Sequence, residues 1–245
     1  MVTQLKHPNI VEFIGISASF PTEADDNSRE FYLGFVSELC SEGSLYIFLH
    51  KTSAGKNMDF RSRMRIANEI ACGMAYVHQQ NIMHRDLSSR NVFLTEGCSV
   101  KIGDFGCARK LIGDQYDPST ISGCPAYMAP EQLHGESLLT LKVDVYALGV
   151  IMWELLNQQI PWSDLKLHNS RKALSQHVKR GGSLKKTPLE RLTWDTSARA
   201  GVEAVLNNLL QTEPEKRHSM MHTHERLGMI CDAHQQASSA EQEVR

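Results

Sequence analysis

The sequence has no C-x-x-C pair. Its six cysteines, Cys40, Cys72, Cys98, Cys107, Cys124 and Cys231, are widely spaced, which argues against a zinc site or a small disulfide framework. It also lacks a long apolar run. The most hydrophobic stretch, 143–156, is interrupted by Asp144 and Glu154 and falls short of the roughly 20 residues that a membrane span needs, so it reads as a buried helix and no membrane insertion is expected. No basic start leads into an apolar segment and a small-residue cleavage site, so nothing reads as a signal peptide, and a reducing, cytoplasmic setting is expected. Neither sign of charge dominates: 26 Lys and Arg stand against 28 Asp and Glu. That balance gives no bulk attraction to nucleic acid or to an acidic membrane surface. No internal repeat is present. What the chain does have, 41% hydrophobic and 22% charged residues, is the composition of an ordinary globular protein with enough apolar mass for a core.

Residues 10–19 and 31–39 are rich in β-branched and aromatic types, and the polar, acidic run 21–30 separates them, which predicts two strands and a solvated loop. Beyond Ser44 the period changes. Met64, Ile66, Ala67, Ile70, Ala71, Met74 and Val77 recur at helical spacing. Two short strands, 92–94 and 100–102, flank turn-forming residues and predict a hairpin. Further helices are expected over 142–156, 169–177, 198–211 and 219–233, with a loop at 213–218. The tail 235–245 has almost no apolar content and reads as disordered.

The hairpin lies between two motifs. His84-Arg85-Asp86-Leu87-Ser88-Ser89-Arg90-Asn91 has the form H-R-D-L-x-x-x-N, Asp104-Phe105-Gly106 follows, and Ala129-Pro130-Glu131 comes third. One triplet could arise by chance; three in order at this spacing make coincidence remote. In these residues the chain resembles the eukaryotic protein kinases, and the likeness runs from about His7 to Ile230. Its mixture of features, with SEGSLY at 41–46 similar to Raf-type kinases, is like the tyrosine kinase-like group.

The resemblance implies an α+β, two-lobe fold. Residues 1–39 would be a residual, incomplete β N-lobe holding the end of a helix, two strands and the hinge entry. Residues 40–232 would form a mainly helical C-lobe, and 233–245 a disordered tail. It implies ATP and Mg²⁺ as cofactors and a protein substrate as partner. Phosphoryl transfer asks the protein mainly to position the acceptor and neutralise charge. Asp86 would orient the acceptor hydroxyl and take its proton, with Arg90 beside it in the catalytic loop. Asn91 and Asp104 would hold Mg²⁺ through oxygen. The backbone of Glu38 and Cys40 would bond adenine, Ser37 would be a small gatekeeper and Phe93 the pocket floor. Arg85 would meet a phosphate carried by Tyr116, Ser119, Thr120 or Ser122. His84, Phe105 and Phe13 would stack in a spine anchored by Asp144, and Glu131 would pair with Arg217.

Two kinds of departure stand out. No G-x-G-x-x-G loop, V-A-I-K lysine or partner glutamate occurs, so the chain is expected to be an N-terminally truncated kinase with little activity and with unpaired strand edges prone to aggregation. The alternative is a catalytically impaired binding or scaffold module. Ser88 and Cys124 replace the lysine and threonine usual in serine/threonine kinases, while Arg90 resembles the tyrosine-kinase loop. Serine or threonine is nevertheless the expected acceptor, with tyrosine as the alternative. Cys124 reads either as a redox-sensitive thiol or as a small, buried apolar residue.

Overall fold

A computed structural model describes residues 4–19, 32–111, 113, 116, 122–185 and 196–243. Strands β1 (Phe13–Ser19) and β2 (Tyr32–Ser37) pair antiparallel, with an irregularity in register between Phe13 and Gly15. Their apolar side chains remain open: Ile14, Ile16, Leu33 and Phe35 are all exposed, Phe35 to 78%. The helix end expected at the start falls on residues 1–3, outside the described residues. Residues 5–12 are non-helical, because Pro8 lacks an amide donor and the chain turns there, the Ile10 N–H bonding the His7 carbonyl at 3.0 Å.

After β2, β3 (Gly43–Ser44), β5 (Val92–Leu94) and β6 (Val100–Ile102) form a small antiparallel sheet in the order β3-β5-β6. Strand β4 (Ile82–Met83) pairs with β7 (Arg109–Lys110). Helix α1 (Leu45–Lys51) begins at Ser44, whose hydroxyl caps it, and the single turn α2 (Ser53–Lys56) follows. Helix α3 (Phe60–Gln79) begins at Asp59, whose carboxylate accepts the Ser62 N–H at 2.7 Å. Its apolar stripe is fully buried from Met64 to Val77. Gly73 lets this helix approach the hairpin: a Cβ there would lie 2.9 Å from Ile102 Cδ1.

Helix α4 (Pro130–His134) is short. Helix α5 (Lys142–Asn157) is buried from Val143 to Leu156 and packs against both α3 and α7 (Thr196–Leu209). A helix apolar on every side must sit inside the core. Helix α6 (Arg171–Lys179) starts at the Ser170 cap. Helix α8 (Met220–Glu243) lies along α3. The tail expected to be disordered is instead a continuation of α8 as far as Glu243. Once Met220, Leu227 and Ile230 are packed, each further residue adds a backbone hydrogen bond without a new nucleus, and the Ala, Gln and Glu of 235–243 favour helix.

Candidate active site

The two acids in the apolar helix α5 are the anchors of the site. A buried carboxylate needs several partners. Asp144 takes the His84 N–H at 2.8 Å, the Arg85 N–H at 2.9 Å and His78 Nε2 at 2.9 Å. Burial alone pushes the Asp144 carboxyl up, but the hydrogen bond from His78 and the contacts with His84 outweigh it and hold the group below the ordinary carboxylate range. The grip lets Arg85 adopt φ 70°, a left-handed conformation that costs energy for a residue with a side chain. Glu154, ten residues along α5, takes the Ser89 hydroxyl at 3.0 Å, the Tyr127 hydroxyl at 2.7 Å and His50 Nε2 at 2.8 Å. Burial and then the Glu154 charge push the Tyr127 hydroxyl well above its ordinary value, so it remains a donor.

Between these anchors lies Asp86. One carboxylate oxygen accepts the Cys124 N–H at 2.8 Å and the other accepts Asn91 Nδ2 at 3.1 Å. The same Asn91 nitrogen donates to the Asp86 carbonyl at 2.7 Å. His84 sets the loop from beneath: its Nδ1 accepts the Asp86 N–H at 3.3 Å, and its Nε2 donates to the Gly103 carbonyl at 3.1 Å. The Gly103 N–H bonds the Asn91 carbonyl, which ties the end of β6 to the loop one residue before Asp104. Asp104 is exposed at φ 56°, with its side chain 3.4 Å from the Gly106 N–H, while Phe105 turns inward and packs against His84 at a ring distance of 4.7 Å.

Among the remaining expected residues, Glu131 and Arg217 form a buried bidentate pair at 2.6 and 2.9 Å. Arg217 also donates to the carbonyls of Gln211, Thr212 and Lys142, so its charge is fully partnered. Phe13 does not take the place expected for it beside His84 and Phe105. Its ring contact is with Phe35, because β1 carries it into the β1–β2 ribbon. The Glu38 N–H bonds the Glu12 carbonyl, and the Glu38 carboxylate takes the Glu12 N–H and Lys101. That leaves only the carbonyl of Glu38 for a ligand, together with the Cys40 N–H. Ser37 pairs with Phe13 in the ladder. Phe93 lies against Gly103, where a Cβ would stand 3.0 Å from its ring. Burial pushes the thiols of Cys40 and Cys124 up, which disfavours reactive thiolates.

Arg85 lies over the Tyr116 ring at 4.8 Å and close to its hydroxyl. Ser122 is half-buried, and Ser119 and Thr120 lie outside the described residues. Arg90 stacks on Tyr46, 3.8 Å from the ring centroid. Glu154, Tyr127, Ser89, Gly103 and Tyr46 were not singled out by their residue types. The one available signal was an acid inside an otherwise apolar helix, which in the case of Glu154 points to converging buried donors.

A buried helix bracing an H-R-D loop, with an outward aspartate and an inward phenylalanine beyond the hairpin, is an arrangement of the protein kinase type. The chain matches the protein kinase domain family over residues 1–227 and belongs to it. Similar proteins include the serine/threonine-protein kinase CTR1 of Arabidopsis thaliana, 40% identical over 167 residues, which are 67% of this chain and 19% of that protein. Mitogen-activated protein kinase kinase kinase 13-A of Xenopus laevis is 38% identical over 162 residues, 66% of this chain and 15% of that protein. The human kinase kinase kinase 13 is 37% identical over 162 residues, with the same shares. The matched region thus spans less than a fifth of these curated relatives. They are consistent with a tyrosine kinase-like domain of the serine/threonine enzymes. Among the described residues no helix is long and apolar enough to cross a membrane.

Proposed function

We propose that the chain carries the transfer of the γ-phosphoryl group of ATP to serine or threonine hydroxyls of a protein substrate. The observation that carries this reading is Asp86: a half-buried carboxylate fixed through both oxygens, one by the Cys124 N–H and one by Asn91. A base held in this way can orient a hydroxyl and take its proton without reorganising. The oxygen donors suit magnesium. The Asn91 amide nitrogen is engaged by Asp86, which leaves its Oδ1 as a hard donor, and Asp104 presents an exposed carboxylate. Among the described residues no three His, Cys, Asp or Glu side chains group to hold a metal alone, so such an ion would share its shell with phosphate oxygens and neutralise their charge. The Glu38 carbonyl and Cys40 N–H would take adenine between Ser37 and Phe93. Arg85 would meet a phosphorylated activation segment, and its contact with Tyr116 favours that residue as the carrier.

The test is label transfer from γ-labelled Mg-ATP to a general protein acceptor, followed by phosphoamino acid analysis, for the chain and for Asp86→Asn. Slow incorporation into serine or threonine that disappears in the variant is expected. Equal labelling by both proteins would overturn the reading. A folded chain that gives no label would be left as a binding module.

A further inference from the structure

The charge balance of the whole chain hides a local imbalance. Residues 165–185 carry six Lys and Arg and no Asp or Glu, in a chain whose formal net charge is −2. Along α6 and its C-terminal cap, Lys172, Gln176, Lys179 and Arg180 are exposed at i, i+4, i+7 and i+8, so the solvent face is a cationic stripe. Among the described residues, Lys172, Lys179 and Arg180 have no ion pair, and neither do Lys166 and Lys185 on either side, whereas Arg65, Lys101, Lys216 and Arg217 each have one. Helix stability does not account for the pattern. Lys179 lies in the last turn, where a cation favours a helix, but Arg171 and Lys172 open the first turn, which contains no acid and where a cation opposes the helix dipole. The opposite face is fixed in place. Leu174 is fully buried, the Trp162 ring meets His177 edge-on at 6.0 Å, and Trp162 Nε1 donates to the Ala126 carbonyl at 3.0 Å, two residues after Cys124, whose N–H holds Asp86.

We propose that this stripe is a docking surface for the anionic headgroups of a lipid bilayer. Its chemistry favours such a surface over a peptide or a nucleic acid. Lysine dominates, with Lys166, Lys172, Lys179 and Lys185 against the exposed Arg180. An ammonium is a compact, hydrated point charge that suits a diffuse negative field, whereas paired recognition of a single carboxylate or phosphate draws on the arginine fork. The solvent side of one helix is convex and offers no cleft to enclose a peptide, and residues 165–185 contain no Phe, Tyr or Trp on which a base would stack. Leu165, exposed beside Lys166, supplies an apolar side chain able to enter the headgroup layer. Clustered Lys and Arg are drawn to a negative leaflet, and the attraction falls off within a Debye length. Docking of this kind does not depend on the phosphotransfer reading. It would set the orientation of Asp86 to the bilayer, because α6 packs against α4 and the turn at 125–127 that follows Cys124.

Sedimentation of the whole chain with vesicles of phosphatidylcholine alone, and of phosphatidylcholine with phosphatidylserine, tests this at low and high salt. Binding to the phosphatidylserine vesicles roughly tenfold or more tighter than to the neutral ones is expected, and should fade as salt rises, since each cation near such a surface contributes about fivefold. The triple variant Lys172→Gln, Lys179→Gln, Arg180→Gln should lose the preference. Lys51→Gln with Lys56→Gln and Arg61→Gln removes the same charge at exposed positions on other helices and should keep it. Lys172→Gln alone should not lower the melting temperature, which separates docking from a part in folding. Equal binding to both kinds of vesicle, no binding to either, a preference that survives the α6 triple variant, or tighter binding to polyglutamate or duplex DNA at equal charge concentration would each overturn the proposal. Selective vesicle binding by a chain that transfers no label from ATP would leave this surface standing and remove the phosphotransfer reading. Label transfer without vesicle binding would do the reverse.

Discussion

The Cys124 N–H donates to the Asp86 carboxylate over 2.8 Å, through a peptide link that follows a residue with no side chain. Gly123 has φ +114°, and a Cβ on it would lie 2.6 Å from the Arg85 carbonyl oxygen. The stretch that carries Cys124 can therefore reach the Asp86 carboxylate only if glycine precedes Cys124. Gly123→Ala is expected to lower phosphoryl transfer by about 100-fold, the scale of an ångström-sized misplacement of a reacting group. Hydrogen exchange should show the Cys124 amide losing protection while α5 keeps its own. Unchanged exchange at Cys124 would count against this account.

The buried pair of Glu131 and Arg217 gives a second expectation. Glu131→Gln keeps the shape but leaves the guanidinium with carbonyls alone, so urea unfolding should show a loss of about 3–5 kcal/mol, as for other buried pairs deprived of one partner. The double variant Glu131→Gln with Arg217→Met removes the stranded charge and should be more stable than the single one.

Asp59 caps α3, and the Ser62 N–H holds its carboxyl below the ordinary range. A depressed value in the folded state means that the cap contributes fully above the ordinary carboxylate pKa, near 3.9, and that the contribution fades as pH falls through the folded value. Asp59→Ala should lower stability near neutral pH by about 1 kcal/mol. Asp59→Asn should keep most of the cap while removing this part of the acid sensitivity. Thermal melts of the three proteins between pH 3 and 7 would reveal an unchanged slope if the assignment is wrong.

Tyr127→Phe removes one of three donors to a carboxylate with no solvent to replace it. A cost of about 1–3 kcal/mol in chemical denaturation is expected. Tyr127→Phe combined with Glu154→Gln should lose less than the sum of the two single changes, because the two side chains share one network.

Much of the site is legible without a structure, for identifiable reasons. Asp86, Asn91 and Asp104 stand out because the phosphoryl transfer proposed above requires fixed residue types at fixed spacing, and 143–156 reads as a buried helix because it is apolar on every face. Glu154 is different. Its partners are Ser89, Tyr127 and His50, separated from it by 27 to 104 residues, and no local pattern reveals which distant hydroxyls will converge on one acid. Gly103 and Gly123 are also silent, since the reason for each is the backbone or ring that passes beside it. The tail misleads for the opposite reason: its low apolar content excludes a packed face, yet a helix that has already begun needs none in order to continue.

Helix α5 also works as a gauge. Asp144 and Glu154 are ten residues apart, about 15 Å of rise, and they fix opposite ends of the H-R-D loop. Inserting a single residue between them would turn one acid by about 100° relative to the other, so the loop could keep either anchor but not both. The spacing between these two acids is thus fixed by the loop they hold, and insertions or deletions in this interior turn should be tolerated far less well than most of its conservative apolar exchanges.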